Sequence, residues 1–273
     1  MNYRHVYHAG NFADVVKHVI LIDLLEALCK KEKPFCFLDT HAGVGMYSLR
    51  SPQVDKQQEY QNGIAHLFAD QRAKQPAIIE KYLAMIKNCH PDKSLYYYPG
   101  SPYFAKKIIR PMDKMILCEL HPDDAEQLKT LFRCDEQVAV HHMDGYLAMK
   151  AFLPFHEKRG LVLIDPPFEK TDEFQQILRA LTRALKRCPS GKYMVWYPVK
   201  NSTVVDAFNC AIKKLTAAHM TIHFQRRDMT DALKLNHCAI LIINPPWKCR
   251  ERLEDSILPY LGDVLNASWA IDS

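Results

Sequence analysis

The sequence lacks the cysteine spacings of a structural metal site. Its nine cysteines occur singly, without a C-x-x-C pair and without a zinc-like run of cysteines and histidines. Isolated cysteines favour reduced thiols buried as small hydrophobic residues over disulfides or metal ligands. We therefore expect no bound metal.

Long apolar runs are also missing. Charged or polar side chains, among them Arg4, Asp14 and Lys17, interrupt the first segment, and no stretch reaches membrane-spanning length. Nothing near the N-terminus has the pattern of a signal peptide. These absences predict a cytoplasmic protein with no membrane partner.

Length and charge set broad limits on the fold and the partners. A chain of 273 residues that is 48% hydrophobic can form one α/β domain with an insertion, although two small domains remain possible. The net charge of +5 suits a polyanionic partner, but many proteins that bind no nucleic acid carry a similar charge. Composition therefore permits an RNA partner without selecting one.

Periodicity predicts a helix followed by a strand at the start of the chain. From Asn11, a plausible N-cap, apolar residues recur at helical spacing, and Asp14 falls in the first turn. After Pro34, the run Phe35 to Leu38 has the composition of a buried strand that ends at Asp39.

Residues 51–98 differ from their surroundings. They are rich in Gln and charged residues and contain two helix-like patterns, around Tyr60 to Arg72 and Ala77 to Lys87. We predict a helical insertion subdomain over 51–98. Residues 1–50 (N-terminal arm, leading helix and first strand-end loop) and 99–273 then form the main domain.

Strand and helix signals alternate through the rest of the chain. The further strands are predicted at 115–118, 138–140, 161–164, 193–196, 221–225 and 238–243. Helical connections favour parallel strands, and the last two runs, which no helix joins, indicate an antiparallel hairpin. The prediction is an α/β Rossmann-like fold with a mostly parallel seven-stranded sheet and a C-terminal hairpin.

A glycine-containing loop follows the first strand. In a doubly wound sheet, ligands bind at the carboxyl ends of the strands, and Gly43 and Gly45 in DTHAGVG would let the backbone approach a cofactor. An ordinary strand-to-helix turn is the alternative. The third glycine of a dinucleotide fingerprint is absent near Ser48, which disfavours a nicotinamide dehydrogenase.

Two further strand ends carry acidic residues. Glu119 follows the strand 115–118, where a carboxylate can accept hydrogen bonds from both ribose hydroxyls of an adenosine. Asp144, before Gly145, could accept from an adenine amine. A solvated acid and a turn-forming Asp-Gly pair, respectively, are the alternatives.

Asp165-Pro166-Pro167-Phe168 is the most specific motif, because it directly follows a four-residue apolar strand. Two prolines end the strand and fix the backbone. Asp165 and the Pro166 carbonyl can then each accept one N–H of an amine, while Phe168 stacks on a flipped base. The alternative is a simple strand terminator.

A similar pattern recurs at Asn244-Pro245-Pro246-Trp247. If the last strand runs antiparallel to the others, this copy lies at the opposite edge of the sheet from the cofactor. We therefore interpret Asn244 as structural.

Together, YRHVYHAGNFADVVKH, LDTHAGVG, YPGSP, DPPF and NPPW resemble the bacterial 23S rRNA adenine-N6 methyltransferase family called RlmJ. These enzymes are class I methyltransferases that use S-adenosylmethionine (AdoMet). The similarity covers nearly the whole chain. At the last position of the DPPF motif, relatives often carry Tyr, whereas this chain has Phe168. This change keeps the stacking but loses any hydroxyl contact.

The resemblance implies roles for individual residues. Asp165 would be catalytic, with Pro166 and Phe168 beside it, and Tyr3 would contact the RNA. The implied AdoMet contacts are Lys17, His18, His41, Ser101, Glu119, Asp144, Gly145 and Asp165.

The resemblance also implies an enzyme of rRNA processing that acts on an adenine of 23S rRNA. An unpaired or flipped adenine is the easier target, because a stacked base must first be removed from its stack. We expect the protein to be a monomer. The residues leave other targets open, namely guanine N2, DNA adenine or a glutamine amide. A non-catalytic nucleic-acid-binding protein is the alternative from a different class, although intact Asp165 and Glu119 argue against it.

Overall fold

The computed structural model describes residues 7–50, 58–70, 72, 74–90, 95–227 and 235–273. The α-helices are α1 (Phe12–Cys29), α2 (Ile64–Ala69), α3 (Ala77–Lys87), α4 (Ser101–Ile108), α5 (Pro122–Leu131), α6 (Gly145–Phe152), α7 (Glu173–Arg187), α8 (Ser202–Leu215), α9 (Cys249–Arg252) and α10 (Leu258–Val264). The strands are β1 (Cys36–Asp39), β2 (Met46–Ser48), β3 (Tyr97–Pro99), β4 (Lys114–Glu119), β5 (Val138–His142), β6 (Gly160–Ile164), β7 (Lys192–Pro198), β8 (His219–Arg226), β9 (His237–Ile243) and β10 (Ala267–Asp272).

The main sheet has eight strands in the order β10-β8-β9-β7-β6-β1-β4-β5. Five of them, β5, β4, β1, β6 and β7, are parallel, whereas β9 is antiparallel to both β7 and β8. The predicted Rossmann-like fold, with its mostly parallel sheet and C-terminal hairpin, is confirmed. The predicted count of seven strands is wrong, because β10 pairs antiparallel with β8 at the edge.

The order of the strands reverses at β1. From β1 the chain builds outward through β4 and β5, and then returns to the other side of β1 to add β6 and β7. At such a switch point, neighbouring loops leave in opposite directions and open a crevice at the carboxyl ends of the strands. The loops after β1 and β6 therefore form the walls of a cleft.

Helix α1 is buried along most of its length because α3 and α4 cover the side that faces away from the sheet. The predicted cap is confirmed, since the Asn11 side chain accepts a hydrogen bond from the Asp14 amide at 2.9 Å. The helix also buries the polar side chains Asp14, Lys17 and His18. Buried ionic groups need partners. The partners of Asp14 and Lys17 lie in the cleft described below.

The first predicted helix of the insertion, around Tyr60 to Arg72, is broken into a 3-10 turn, Glu59–Asn62, and α2. Gly63 separates the two because it packs against the start of α1, where an added Cβ would lie 2.2 Å from the Gly10 carbonyl oxygen. The second predicted helix is α3. The assignment of residues 51–98 to a separate subdomain stays a prediction.

In the part of the chain that the structure describes, no helix combines the length and the apolar character that crossing a bilayer requires.

Candidate active site

The strand-end motifs converge on one cleft of about 510 Å³ at the carboxyl ends of the parallel strands. This volume lies within the range of small-molecule sites. Pro166 and Phe168 line it, whereas Tyr3 lies outside the described residues. All the predicted cofactor contacts also line it, namely Lys17, His18, His41, Ser101, Glu119, Asp144, Gly145 and Asp165.

The loop after β1 is held close to the sheet. Gly43 has φ +61°, and an added Cβ would lie 2.1 Å from the Tyr47 hydroxyl, so a residue other than glycine would be strained there. Beneath the loop, the Ser101 hydroxyl donates to Asp39 at 2.6 Å. Burial raises the pKa of Asp39 to about 7, although the Ser101 hydrogen bond opposes this shift.

Glu119 is fixed at the end of β4. One carboxylate oxygen accepts from the Gly43 amide at 2.8 Å and the other from the His121 amide at 2.7 Å. A carboxylate offers about four acceptor positions, so both oxygens can still accept further hydrogen bonds in the cleft. This geometry suits a pair of neighbouring hydroxyl groups.

Asp144 caps α6, with Oδ1 accepting from the amides of Tyr146 and Leu147 at 2.9 Å each. Oδ2 takes no part in these cap bonds. Gly145 lets the start of α6 touch the loop after β1, since an added Cβ would lie 2.2 Å from the Thr40 carbonyl oxygen. The two strand-end loops are therefore packed against each other.

His41 lies between these loops. Thr40 Oγ1 is 2.8 Å from His41 Nδ1, and the imidazole meets the Tyr146 ring edge-on at 5.5 Å between centroids. Burial lowers the pKa of His41 to about 4, although Asp165 and Asp144 oppose the shift. The imidazole is therefore neutral at physiological pH.

A chain of charges joins α1 to the DPPF turn. The Lys17 ammonium donates to Asp14 at 2.8 Å and to Asp165 at 2.5 Å. Burial alone would lower the pKa of Lys17, but the two carboxylates outweigh it and raise that pKa, so the side chain stays charged. This ion pair fixes Asp165 Oδ2, and an ammonium has three donors, which leaves one for another group.

Phe168 lies among aromatic rings at the mouth of the cleft. Its φ is +51°, a left-handed conformation that costs about 1–3 kcal/mol for a residue other than glycine. Its ring centroid is 5.1 Å from that of Phe174 and 6.0 Å from that of Trp196. The packing of the ring therefore holds the strained backbone of Phe168 in place beside Asp165.

His18 differs from the other predicted contacts because it is bonded within the core. Its Nδ1 lies 2.7 Å from the Tyr98 hydroxyl, and its ring packs on Phe104 at 4.9 Å. It is only 1% exposed, although it forms part of the cleft wall.

Several cleft residues had not been predicted. Trp196 lies near the carboxyl end of β7, the strand beside β6, and its place at the end of the run predicted over 193–196 is a usable signal. Lys170 and Lys200 bring positive charge to the rim. Asp14 is predicted only as a residue of the first turn of α1, although its spacing of three residues from Lys17 is that of an ion pair along one helix face.

The interpretation of Asn244 as structural is confirmed by the geometry. Because β9 is antiparallel to β7, Asn244 lies beside the start of β7, away from the cleft. Its amide donates to the carbonyls of Pro189 and Gly191 at 2.8 and 2.7 Å. The DPPF motif therefore lies at the carboxyl ends of the parallel strands, and the NPPW motif lies at their amino ends.

Known proteins with the same sequence pattern match nearly the whole chain. The family model described as "Ribosomal RNA large subunit methyltransferase D, RlmJ" matches residues 32–271. Two proteins named "Ribosomal RNA large subunit methyltransferase J" are each 37% identical to the chain. The protein from Escherichia coli aligns over 97% of this chain and 94% of its own length, and that from Haemophilus influenzae over 100% and 98%.

A solved structure gives the same result for the fold. A crystal structure of a Legionella pneumophila protein superimposes with a TM-score of 0.90 at 36% identity, covering 97% of this chain and 98% of the other. Sequence and structure agree over the same length, as the resemblance of the motifs predicted. The chain is therefore a methyltransferase, and it belongs to the RlmJ family of ribosomal RNA large subunit methyltransferases.

Proposed function

We propose that this protein transfers the methyl group of AdoMet to the N6 amine of an adenine in 23S rRNA, with Asp165 as the catalytic residue. The observation that carries the proposal is the fixed Asp165 carboxylate, whose Oδ2 lies 2.5 Å from the Lys17 ammonium in the main cleft. The names of the relatives support a target in the large ribosomal subunit.

The cleft fits AdoMet, which supplies a methyl group on a positively charged sulfur. Glu119 would accept hydrogen bonds from the ribose hydroxyls, and Asp144 would accept one from the adenine amine through Oδ2. Neutral His41 would not repel the sulfonium cation, and the carboxylates of Asp165 and Asp144, which also line the cleft, would attract it. Gly145 keeps the two walls close together.

The residues of α1 and α4 would hold the amino-acid end of AdoMet. There the remaining donor of Lys17 and the Ser101 hydroxyl would provide polar contacts, and His18 would form part of the wall. Lys17 uses two of its three donors for Asp14 and Asp165. With the third donor it would bind the cofactor while it holds Asp165 in place.

The target base enters beside Phe168. Asp165 Oδ1 and the Pro166 carbonyl each accept one N–H of the amine, and Phe168 stacks on the ring. The two acceptors turn the nitrogen lone pair toward the methyl group. When bound, AdoMet would supply the methyl group as its S–C bond breaks and a neutral thioether, S-adenosylhomocysteine, leaves. The proton that leaves the amine nitrogen passes to Asp165 or to water.

Alignment of the two reactants supplies most of the rate. Holding an amine and a methyl group in line can remove about 7–11 kcal/mol of the barrier. A general base usually contributes a factor of about 10²–10⁴, which corresponds to less free energy. The adenine amine is a weak nucleophile, so the two acceptors matter for its orientation and its geometry.

An unpaired or flipped adenine is the easier substrate, because removal of a stacked base costs a few kcal/mol.

We assign contact with the RNA to the N-terminal arm, through Tyr3, and to the insertion. Loss of RNA discrimination after deletion of residues 57–88 is the expected result, and unchanged discrimination would contradict this assignment. The proposed enzyme is a cytoplasmic monomer that needs no metal.

Transfer of a radiolabelled methyl group to RNA tests the proposal. The purified protein is incubated with labelled AdoMet and unmodified fragments of 23S rRNA, 16S rRNA or DNA. Label is expected in 23S fragments only. Equal labelling of 16S rRNA or DNA, or no labelling of any of them, would contradict the proposed substrate.

A further inference from the structure

A second concave surface lies between α6 and α7, outside the cleft. This groove of about 210 Å³ is lined by Lys150 from α6 and by Arg179, Arg183 and Arg187 from α7. Its floor includes the small side chains of Ala180 and Ala184. No acidic side chain is among the described residues that line it, so the groove is strongly positive.

Helix stability does not explain the presence of Arg179 and Arg183. Arg179, Arg183 and Arg187 are each four residues apart, so they share one face of α7 and span about 12 Å at 1.5 Å per residue. Like charges at this spacing destabilise a helix. Within the described ranges, Arg179 and Arg183 form no ion pair, and both are exposed.

The groove is also partly ordered in advance. Arg187 donates to the carbonyl oxygen of Lys150, which ties the ends of α6 and α7 together. The alanines leave the guanidinium groups of Arg179 and Arg183 uncovered. Planar guanidinium groups can bind phosphate oxygens through two hydrogen bonds at once.

The groove begins at the wall of the active cleft. Tyr146 lines both cavities, and its hydroxyl donates to Glu173 at 2.6 Å. A chain of phosphates that leaves the target base at Phe168 can therefore follow α7 along the arginine row. Its negative charge complements the groove.

We propose that the α6–α7 groove binds the ribose-phosphate backbone of the RNA next to the methylated adenine. The inference rests on the proposed function and adds a binding surface to it. Each arginine contacts one phosphate without reading the base. The groove increases affinity for RNA and takes no part in the methyl transfer step.

The double variant Arg179→Gln/Arg183→Gln tests this surface and leaves the Arg187 bond to α6 intact. Lys213→Gln/Lys214→Gln on α8 removes the same charge from another exposed face and serves as the matched control. RNA binding is measured over a range of salt concentrations, together with AdoMet binding and thermal unfolding as checks of the fold.

We expect the groove variant to lower the salt dependence of RNA binding by about 1 to 2 units of log K per log salt, since each single-strand phosphate contact contributes about 0.7. The KM for RNA should rise on the order of tenfold at moderate salt, while kcat and AdoMet affinity stay at wild-type values. The control should match wild type.

A folded groove variant with wild-type salt dependence would overturn the inference, as would a fall in kcat without loss of RNA affinity. The two proposals fail separately. If wild-type protein binds RNA through the groove but labels no 23S fragment, the proposed function is wrong and the groove stands. If it labels 23S RNA and the groove variant binds normally, only the groove is wrong.

Discussion

At the residue scale, the proposed chemistry depends on Asp165 and on the Lys17 ammonium that holds it. Asp165→Asn keeps the shape of the side chain but removes its charge and weakens both the ion pair and the acceptor. We expect methyl transfer to fall by about 100-fold or more, with AdoMet affinity changed much less. Single-turnover transfer and equilibrium AdoMet binding measure the two effects separately.

The second proline motif supplies the control. Asn244→Ala removes the hydrogen bonds to Pro189 and Gly191, so it should lower thermal stability but leave the transfer rate of the folded protein unchanged. Normal turnover by the Asp165 variant, or an equal loss in both variants, would refute the assigned role.

Asp39 gives a prediction about pH. Because its pKa is raised to about 7 in the folded protein and lies near 3.9 in an unfolded chain, the folded state binds more protons between these values. The contribution of Asp39 to the free energy of unfolding is therefore fully present below about pH 4, and it is lost as the pH rises through about 7.

The variant Asp39→Asn should lack this loss. Urea unfolding at pH 5 and pH 8 should show a decrease in the free energy of unfolding that is larger for wild type than for the variant, by about 2–4 kcal/mol. Identical pH dependence of the two proteins would mean that the Asp39 carboxyl is not shifted by burial.

At the scale of the elements, the start of α6 must touch the loop after β1. Gly145→Ala places a Cβ 2.2 Å from the Thr40 carbonyl oxygen, and this backbone cannot move as a flexible side chain does. We expect a loss of about 1–3 kcal/mol in stability and weaker AdoMet binding, measured by calorimetry, because the walls of the cleft separate.

Gly191→Ala is the matched change at the amino ends of the parallel strands, just before β7. There the nearest atom is the end of a side chain, Cys188 Sγ at 2.9 Å. AdoMet affinity should stay at the wild-type value in this variant. Equal affinity in both variants would contradict the claim that the contact at Gly145 shapes the cofactor site.

Apolar runs and helical periodicity predicted most elements, because these patterns follow directly from burial on a sheet or along one helix face. Glu119 and Asp144 were found at strand ends for the same reason. By contrast, β10 is a short segment in which only Ala267 is buried, and α4 has too polar a sequence to stand out. Such weak patterns become structure only through their tertiary partners.

The ionic contacts of the site could not be predicted from the residues alone. Lys17 and Asp165 are 148 positions apart, and their contact exists because α1 packs near the end of β6. The raised pKa of Asp39 and the lowered pKa of His41 likewise depend on burial by several elements. A resemblance to a family can name such residues, but it does not give the bonds between them.

At the scale of the whole molecule, β10 is the edge strand of the main sheet and covers the backbone of β8. Truncation before Ala267 would expose the backbone of β8 and remove Trp269, whose ring packs near Gly262. Exposed strand edges promote aggregation. We expect the melting temperature to fall by about 5 °C or more and light scattering to rise, and an unchanged melting temperature and scattering would contradict this role.

We propose that the fixed Asp165 carboxylate directs methylation to the N6 amine of adenine. Nucleoside mass spectrometry of 23S rRNA fragments, after incubation with isotopically labelled AdoMet, tests this role. We expect labelled N6-methyladenosine with wild-type protein and almost none with Asp165→Asn. Labelled N2-methylguanosine in its place, or equal yields from both proteins, would contradict it.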